Sequence, residues 1–192
     1  MLFDLKKTLN KVTKSYNSYS TLRSEINQFT DFARQNSKKA IFFLMKEKVD
    51  EAKKALDTAK TNLEKCDSLF KKEKLLQESG AYKTAVEEYL EAKLFECYLS
   101  EKMTFDIFNF PLPAETILGA ISDFTGELVR KSILFATEGK KSKIVKIKTV
   151  IEEVVLALTD IELGSGGYLR TKIDQVDKNL RKVEEILYSV AR

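Results

Sequence analysis

Two pairs of carboxylates stand out by their spacing. Glu88 and Glu91 are three residues apart in VEEYLEAK, and Asp123 and Glu127 are four apart in AISDFTGELVR. Residues at these separations lie side by side on a helix. If the two helices face each other, four acidic groups converge. Like charges held close repel and raise one another's pKa. A divalent cation removes that conflict, and ligand oxygens without nitrogen or sulfur favour Mg2+ or Mn2+. Such an ion can activate water and stabilise charge on a phosphoryl group during in-line attack. The chain contains no histidine. Ser-His and Cys-His mechanisms are therefore excluded, as are His zinc ligands and the Glu-x-x-His motif of di-metal carboxylate bundles. Any hydrolysis must rest on carboxylates, Lys, Tyr, Ser or a bound metal. Spacing alone also fits a solvated helix face, the commoner use of Glu pairs in a chain that is 32% charged. Gly126 lies between the second pair of acids. A glycine in mid-helix costs about 1 kcal/mol against alanine, so close approach of a backbone or ligand is expected there.

The elements that would position these residues are helices. Only 7 Gly and 2 Pro interrupt the chain, which favours long helices over a sheet with many turns. Apolar steps of three and four predict a first helix over residues 3–45, with a break near 35–37. A second is expected over 48–79, closed by Gly80 as a C-cap. The third spans 81–103 and carries Glu88 and Glu91. A loop over 104–113 holds both prolines. The fourth spans 114–139, ends on Gly139 as a C′ glycine, and carries Asp123 and Glu127. The fifth covers 142–163, a Gly-Ser run at 164–167 breaks the chain, and the last helix covers 168–190. The expected fold is all-α: a bundle of six to seven helices in one domain, residues 1–192. The N- and C-terminal helices should pack along each other and leave apolar surface for neighbouring subunits.

Composition sets the remaining bounds. Apolar residues make up 43% of 192 positions, enough for a real core. The longest apolar run, residues 40–45, is far short of a membrane span, and the N-terminus lacks a signal-peptide block. Cys66 and Cys97 read as free, packed thiols, and a reducing cytoplasm is the expected compartment. A net charge of +4 and a pI of about 8.8 permit a nucleic-acid partner without requiring one.

The phrases EYLEA at 88–92 and DFTGELVR at 123–130, in that order, resemble the signature of the translin/translin-associated factor X (TRAX) family. LRSEINQFTDFARQNSKKAIFFL at 22–44 is similar to the family's first long helix, and KNLRKVEEILYSVAR at 178–192 to its last. The resemblance covers nearly the whole chain. It implies a translin-like helical bundle assembled as a hollow octamer, and a Mg2+-dependent endoribonuclease acting on single-stranded RNA inside the shell. The family's catalytic and metal-binding acids match Glu88, Glu91, Asp123 and Glu127. Translin itself lacks the glutamates and mainly binds RNA or single-stranded DNA, so this chain sides with the nuclease branch. Its shortness relative to eukaryotic members implies a stand-alone homo-oligomer of the prokaryotic, archaeal type. The alternatives are a non-catalytic, translin-like nucleic-acid scaffold and a helical interaction protein.

The resemblance also points to Arg23, which matches a family arginine that contacts nucleic acid, and to Lys83, where the family often has a basic residue. Arg130 lies seven residues beyond Asp123 on the same helical face, placed to pair with a carboxylate or a phosphate. Each also fits an ordinary surface cation. The run Lys140, Lys141, Lys143, Lys146 and Lys148 could hold a phosphate backbone or be a solvated helix start. The aromatic residues Phe42, Phe43, Phe95, Phe105, Phe108 and Phe110 read as core or interface, with the 105–113 loop at a subunit contact.

Overall fold

The computed structural model describes residues 4–101, 113–162 and 167–190. All elements in them are helical: α1 (Leu5–Met45), α2 (Val49–Phe70), a 3-10 turn (Lys74–Glu78), α3 (Gly80–Leu99), α4 (Ala114–Thr137), α5 (Lys141–Thr159) and α6 (Gly167–Ser189). The expected all-α architecture is what forms. The 105–113 loop, apart from Pro113, lies outside the described residues, as do Phe105, Phe108, Phe110 and most of the Gly-Ser run. No helix among the described residues is long and apolar enough to cross a membrane.

The helices form two packed groups. α1 lies against α2 and α3, and α6 lies against α4 and α5. The α3–α4 contact joins the groups. The expected pairing of N- and C-terminal helices is therefore wrong: each packs within its own half. Small residues explain the close approach of the first group, with Ala33, Ala40, Ala52, Ala59, Ala85 and Ala92 fully buried. Into the gaps fit Ile26, Leu56, Leu63, Val86, Leu90 and Phe95. α3 is at least partly buried almost all round because it meets α1, α2 and α4. In the second group, buried Asn179 of α6 donates to Thr125 Oγ1 of α4 at 2.9 Å and accepts from Gln175 at 2.9 Å. The buried polar groups thus satisfy one another.

Helix ends account for the boundary differences. α1 runs unbroken through 35–37, where Asn36 and Ser37 hydrogen-bond back to the carbonyls of Phe32 and Ala33. α2 stops at Phe70 rather than 79, and Gly80 begins α3 instead of capping α2. Ser79 caps α3 by accepting from the Tyr82 amide. Three helices close on a residue with positive φ: Glu47 (59°), Glu101 (54°) and Gly139 (69°). At the end of α4 the Gly139 amide donates to Ala136 O, and the Lys140 amide to Phe135 O at 2.8 Å. This is the Schellman arrangement, as expected of a C′ glycine. The end of α1 repeats it with Glu47 in the glycine's place. Gly139→Ala is expected to cost about 1–2 kcal/mol, the penalty of a Cβ in left-handed backbone. Thermal or urea denaturation measures it, and an unchanged midpoint would contradict the assignment.

The first four turns of α1 extend beyond the body. Every residue from 4 to 18 is exposed. Leu5, Leu9, Val12 and Tyr16, spaced by four, three and four, lie 53–67% exposed along one stripe. At 41 residues, α1 is about 60 Å long.

Candidate acidic site at the junction of two helix groups

The acidic residues sit where α3 meets α4. Glu91 is the innermost: it is 8% exposed, and burial beside Asp123, Glu127 and Glu88 pushes its carboxyl up to about 8. No ion pair within 4 Å reaches Glu91 among the described residues. Its three neighbours each face a cation. Lys38 Nζ of α1 lies 2.9 Å from Glu88. Arg130 holds both oxygens of Glu127 at 2.8 Å, one turn along α4. Lys172 Nζ of α6 reaches Asp123 at 2.5 Å and Glu87 at 2.7 Å. Glu88, Glu91 and Glu127 line one open pocket of about 260 Å³ with Lys38, Ile41 and Arg130. Asp123 stands on its flank, turned toward α6.

Asp123 belongs to a second layer of contacts. Burial raises its carboxyl despite Lys172, and Glu87 raises it further. Burial opposes charge on Lys172 as well, but hydrogen bonds to Asp123 and Glu87 hold its ammonium above the usual range. Tyr168 donates to Glu87 at 2.5 Å. These groups cross above Gly119, where an added Cβ would stand 2.5 Å from the Tyr168 hydroxyl and 2.8 Å from the Glu87 carboxyl. The close approach expected at Gly126 is therefore found about two turns earlier. At Gly126 itself a Cβ would meet only Asn179, at an ordinary 3.7 Å.

The four acids gather on one side of the α3–α4 junction, yet no three acidic or thiol groups among the described residues are arranged to hold one ion. Lys38, Arg130 and Lys172 turn three carboxylates away from a common point. The donor set itself is that of a hard cation: oxygen only, with a buried carboxyl that a positive charge would deprotonate. Arg130 lies at this pocket, as its spacing suggested. Lys83 does not line it. It pairs with Glu78 of the 3-10 turn at 2.6 Å. Arg23 is exposed on α1, about 22 Å along the helix from Lys38. In the lysine run, Lys140 pairs with Glu138 at 2.6 Å, and Lys148 bridges Glu152 and Glu184. Lys38, Lys172, Glu87 and Tyr168 escaped the sequence reading. Lys38 sits inside the quoted first-helix phrase, but nothing local marks Lys172, which lies 49 residues from Asp123. Of the thiols, Cys66 is buried, and burial pushes it up to about 12, whereas Cys97 is half-buried.

Glu91 couples this site to stability. Its folded carboxyl keeps a proton to about pH 8, against 4.5 ordinarily. The folded state therefore binds more protons than the unfolded state between those values, and stability is lost as pH rises through that window. Glu91→Gln imitates the protonated form. Without divalent cations it is expected to raise the melting temperature more at pH 8 than at pH 5. Equal shifts at both pH values would dissociate Glu91 from the effect.

Comparison with known proteins bears on the fold. No curated protein matches the chain in sequence. Its structure is similar to that of apo-NeC3PO, with a TM-score of 0.85 at 23% identity over 99% of this chain and 98% of the other. It is also similar to AfC3PO, at 0.83 and 23% over 96% and 97%. The AfC3PO–duplex RNA complex matches at 0.81 and 22% over 96% of each chain. Identities this low establish the shared fold. The sequence match to the translin family runs over residues 21–191, most of the chain, and the protein therefore belongs to the translin family.

Proposed function

We propose that this protein is a metal-dependent endoribonuclease of the TRAX-like branch, cleaving single-stranded RNA within a hollow homo-oligomer, an octamer. Glu88, Glu91, Asp123 and Glu127 would hold Mg2+ or Mn2+. The observation that carries the reading is Glu91, buried among carboxylates from two helices with no cation paired to it. A bound divalent ion supplies a water of lowered pKa and neutralises phosphoryl charge. The chain's own residues do the rest. Glu91, whose carboxyl is kept protonated by burial and its acidic neighbours in the absence of an ion, would give up that proton to the ion's charge and anchor it from the innermost position. Lys38 and Arg130, at the mouth of the pocket, can attract a phosphate. Lys172 fixes the direction of Asp123 from the neighbouring helix. The duplex RNA bound by AfC3PO supports a nucleic-acid partner for this fold.

The test is incubation of the purified protein with labelled single-stranded RNA, with Mg2+, with Mn2+ and with EDTA. Cleavage confined to the metal-containing samples is expected. The three ion pairs that balance the acids favour a second reading, a translin-like scaffold that binds RNA or single-stranded DNA without cutting it. Binding in EDTA with no cleavage in either metal would select that reading. Arg23, exposed and without an ion pair among the described residues, is expected to contact phosphate. Arg23→Ala should weaken RNA binding several-fold and lower the salt-dependence slope by about 1. An unchanged slope would remove Arg23 from the interface.

A further inference from the structure

We infer that a second, cationic cavity binds a small phosphate monoester of mononucleotide size. The cavity encloses about 520 Å³, within the range of small-ligand sites. It lies where the end of α1, the C-terminal half of α3 and the α4–α5 junction meet. It shares no lining residue with the acidic pocket. On α3, its residues Lys93, Glu96 and Cys97 lie roughly opposite Glu88 and Glu91, at 3.6 residues per turn.

Three observations point to an anion. Lys53, Lys93, Lys131 and Lys143 line the cavity against Glu47 and Glu96, a surplus of two positive charges in the lining, with Lys93 paired to Glu96. Lys131 is 3% exposed, a depth at which an ammonium needs a counter-charge. Its one ion pair among the described residues is poor: Glu47, 3.5 Å away, is 71% exposed and reaches in from the turn after α1, while Glu138 acts on it only from beyond ion-pair distance. Two of these lysines, Lys131 and Lys143, are also fixed in direction, as is Lys140 beside the cavity. Lys131 and Lys143 each stand 5.1 Å from the Phe135 ring centre, and Lys140 stands 5.9 Å away.

The charge selects a phosphate monoester. Its charge of about −1.5 to −2 matches the surplus, and lysine serves phosphate well as a point charge. A diester within an RNA backbone carries one charge and continues on both sides, so it cannot reach a lysine this deep. The walls formed by Leu44, Val49 and Leu99 suit an apolar or aromatic body attached to the phosphate.

Cys97 provides a built-in reporter, since it lines the cavity while Cys66 is fully buried. The experiment uses the full chain without RNA or divalent cation, so its outcome is independent of the nuclease reading. AMP, adenosine and inorganic phosphate are titrated by calorimetry, and Cys97 modification by a disulfide reagent is timed with and without AMP. AMP is expected to bind once per chain, adenosine at least about ten-fold more weakly, and phosphate more weakly than AMP. AMP should slow Cys97 modification several-fold. Lys131→Met should abolish binding and protection, and Lys143→Gln, at an exposed position, should weaken both. Glu47→Gln should tighten binding, because a competing carboxylate has gone. Asp123→Asn should leave it unchanged. The inference is overturned if AMP gives neither heat nor protection, or if adenosine binds as well as AMP. Loss of AMP binding in Asp123→Asn would also overturn it, by assigning the nucleotide to the acidic pocket.

Discussion

Asp123→Asn is expected to lower RNA cleavage at least about 100-fold, roughly 2.7 kcal/mol of transition-state stabilisation. The substitution keeps the shape of the side chain and removes one negative ligand from the proposed ion site. The fold should survive, because Lys172 retains Glu87 at 2.7 Å. RNA binding should be equal or tighter, since a negative charge beside a polyanion has gone. That split between cleavage and binding separates a catalytic role from a structural one. Glu88→Gln, Glu91→Gln and Glu127→Gln should act in the same direction. Single-turnover cleavage and a binding assay in EDTA measure the two quantities. Wild-type cleavage by Asp123→Asn would place any activity elsewhere in the molecule.

Assembly should respond as strongly to a change far from the acids. Leu9→Glu combined with Val12→Glu is expected to convert the proposed oligomer to smaller species at micromolar concentration. Both side chains are more than half exposed on a part of α1 where nothing from residue 4 to 18 is buried. Burying two such residues at a subunit contact contributes about 3–6 kcal/mol, which is a change of at least about 100-fold in the dissociation constant. The monomer should keep its helicity and melting temperature, because these residues support no intramolecular core. Light scattering reads the mass and circular dichroism the fold. An unaltered mass would show that the stripe faces water in the assembly as well.

Much of this molecule was legible in the residues. Long apolar stripes and scarce glycine and proline gave the helices, because a 3.6-residue period is a local property of the chain. Gly139 marked the end of α4 for the same reason. Glu47 and Glu101 close helices through the same left-handed backbone, yet carry no glycine to announce it. The two acidic pairs were legible as pairs, since helical spacing alone brings each together. Their balance was not. Lys38 and Lys172 reach the acids from other helices, and the separation in sequence erases the signal. The pairing of α1 with α6 failed on similar grounds: a stripe says that a face is apolar, not which partner covers it.

Gly119 carries a consequence for how the protein tolerates change. It is distant in sequence from Glu87 and Tyr168, and contributes no charge, proton or ligand. Both groups that crowd it are tips of flexible side chains, so a single methyl at 119 leaves the helices where they are and displaces only the tips. With them would go the hydrogen bonds that aim Lys172 at Asp123. In a library of variants selected first for folding and then for activity, position 119 should pass the first screen with alanine or serine and fail the second. Gly126, although it stands between two of the acids, should accept small residues in both.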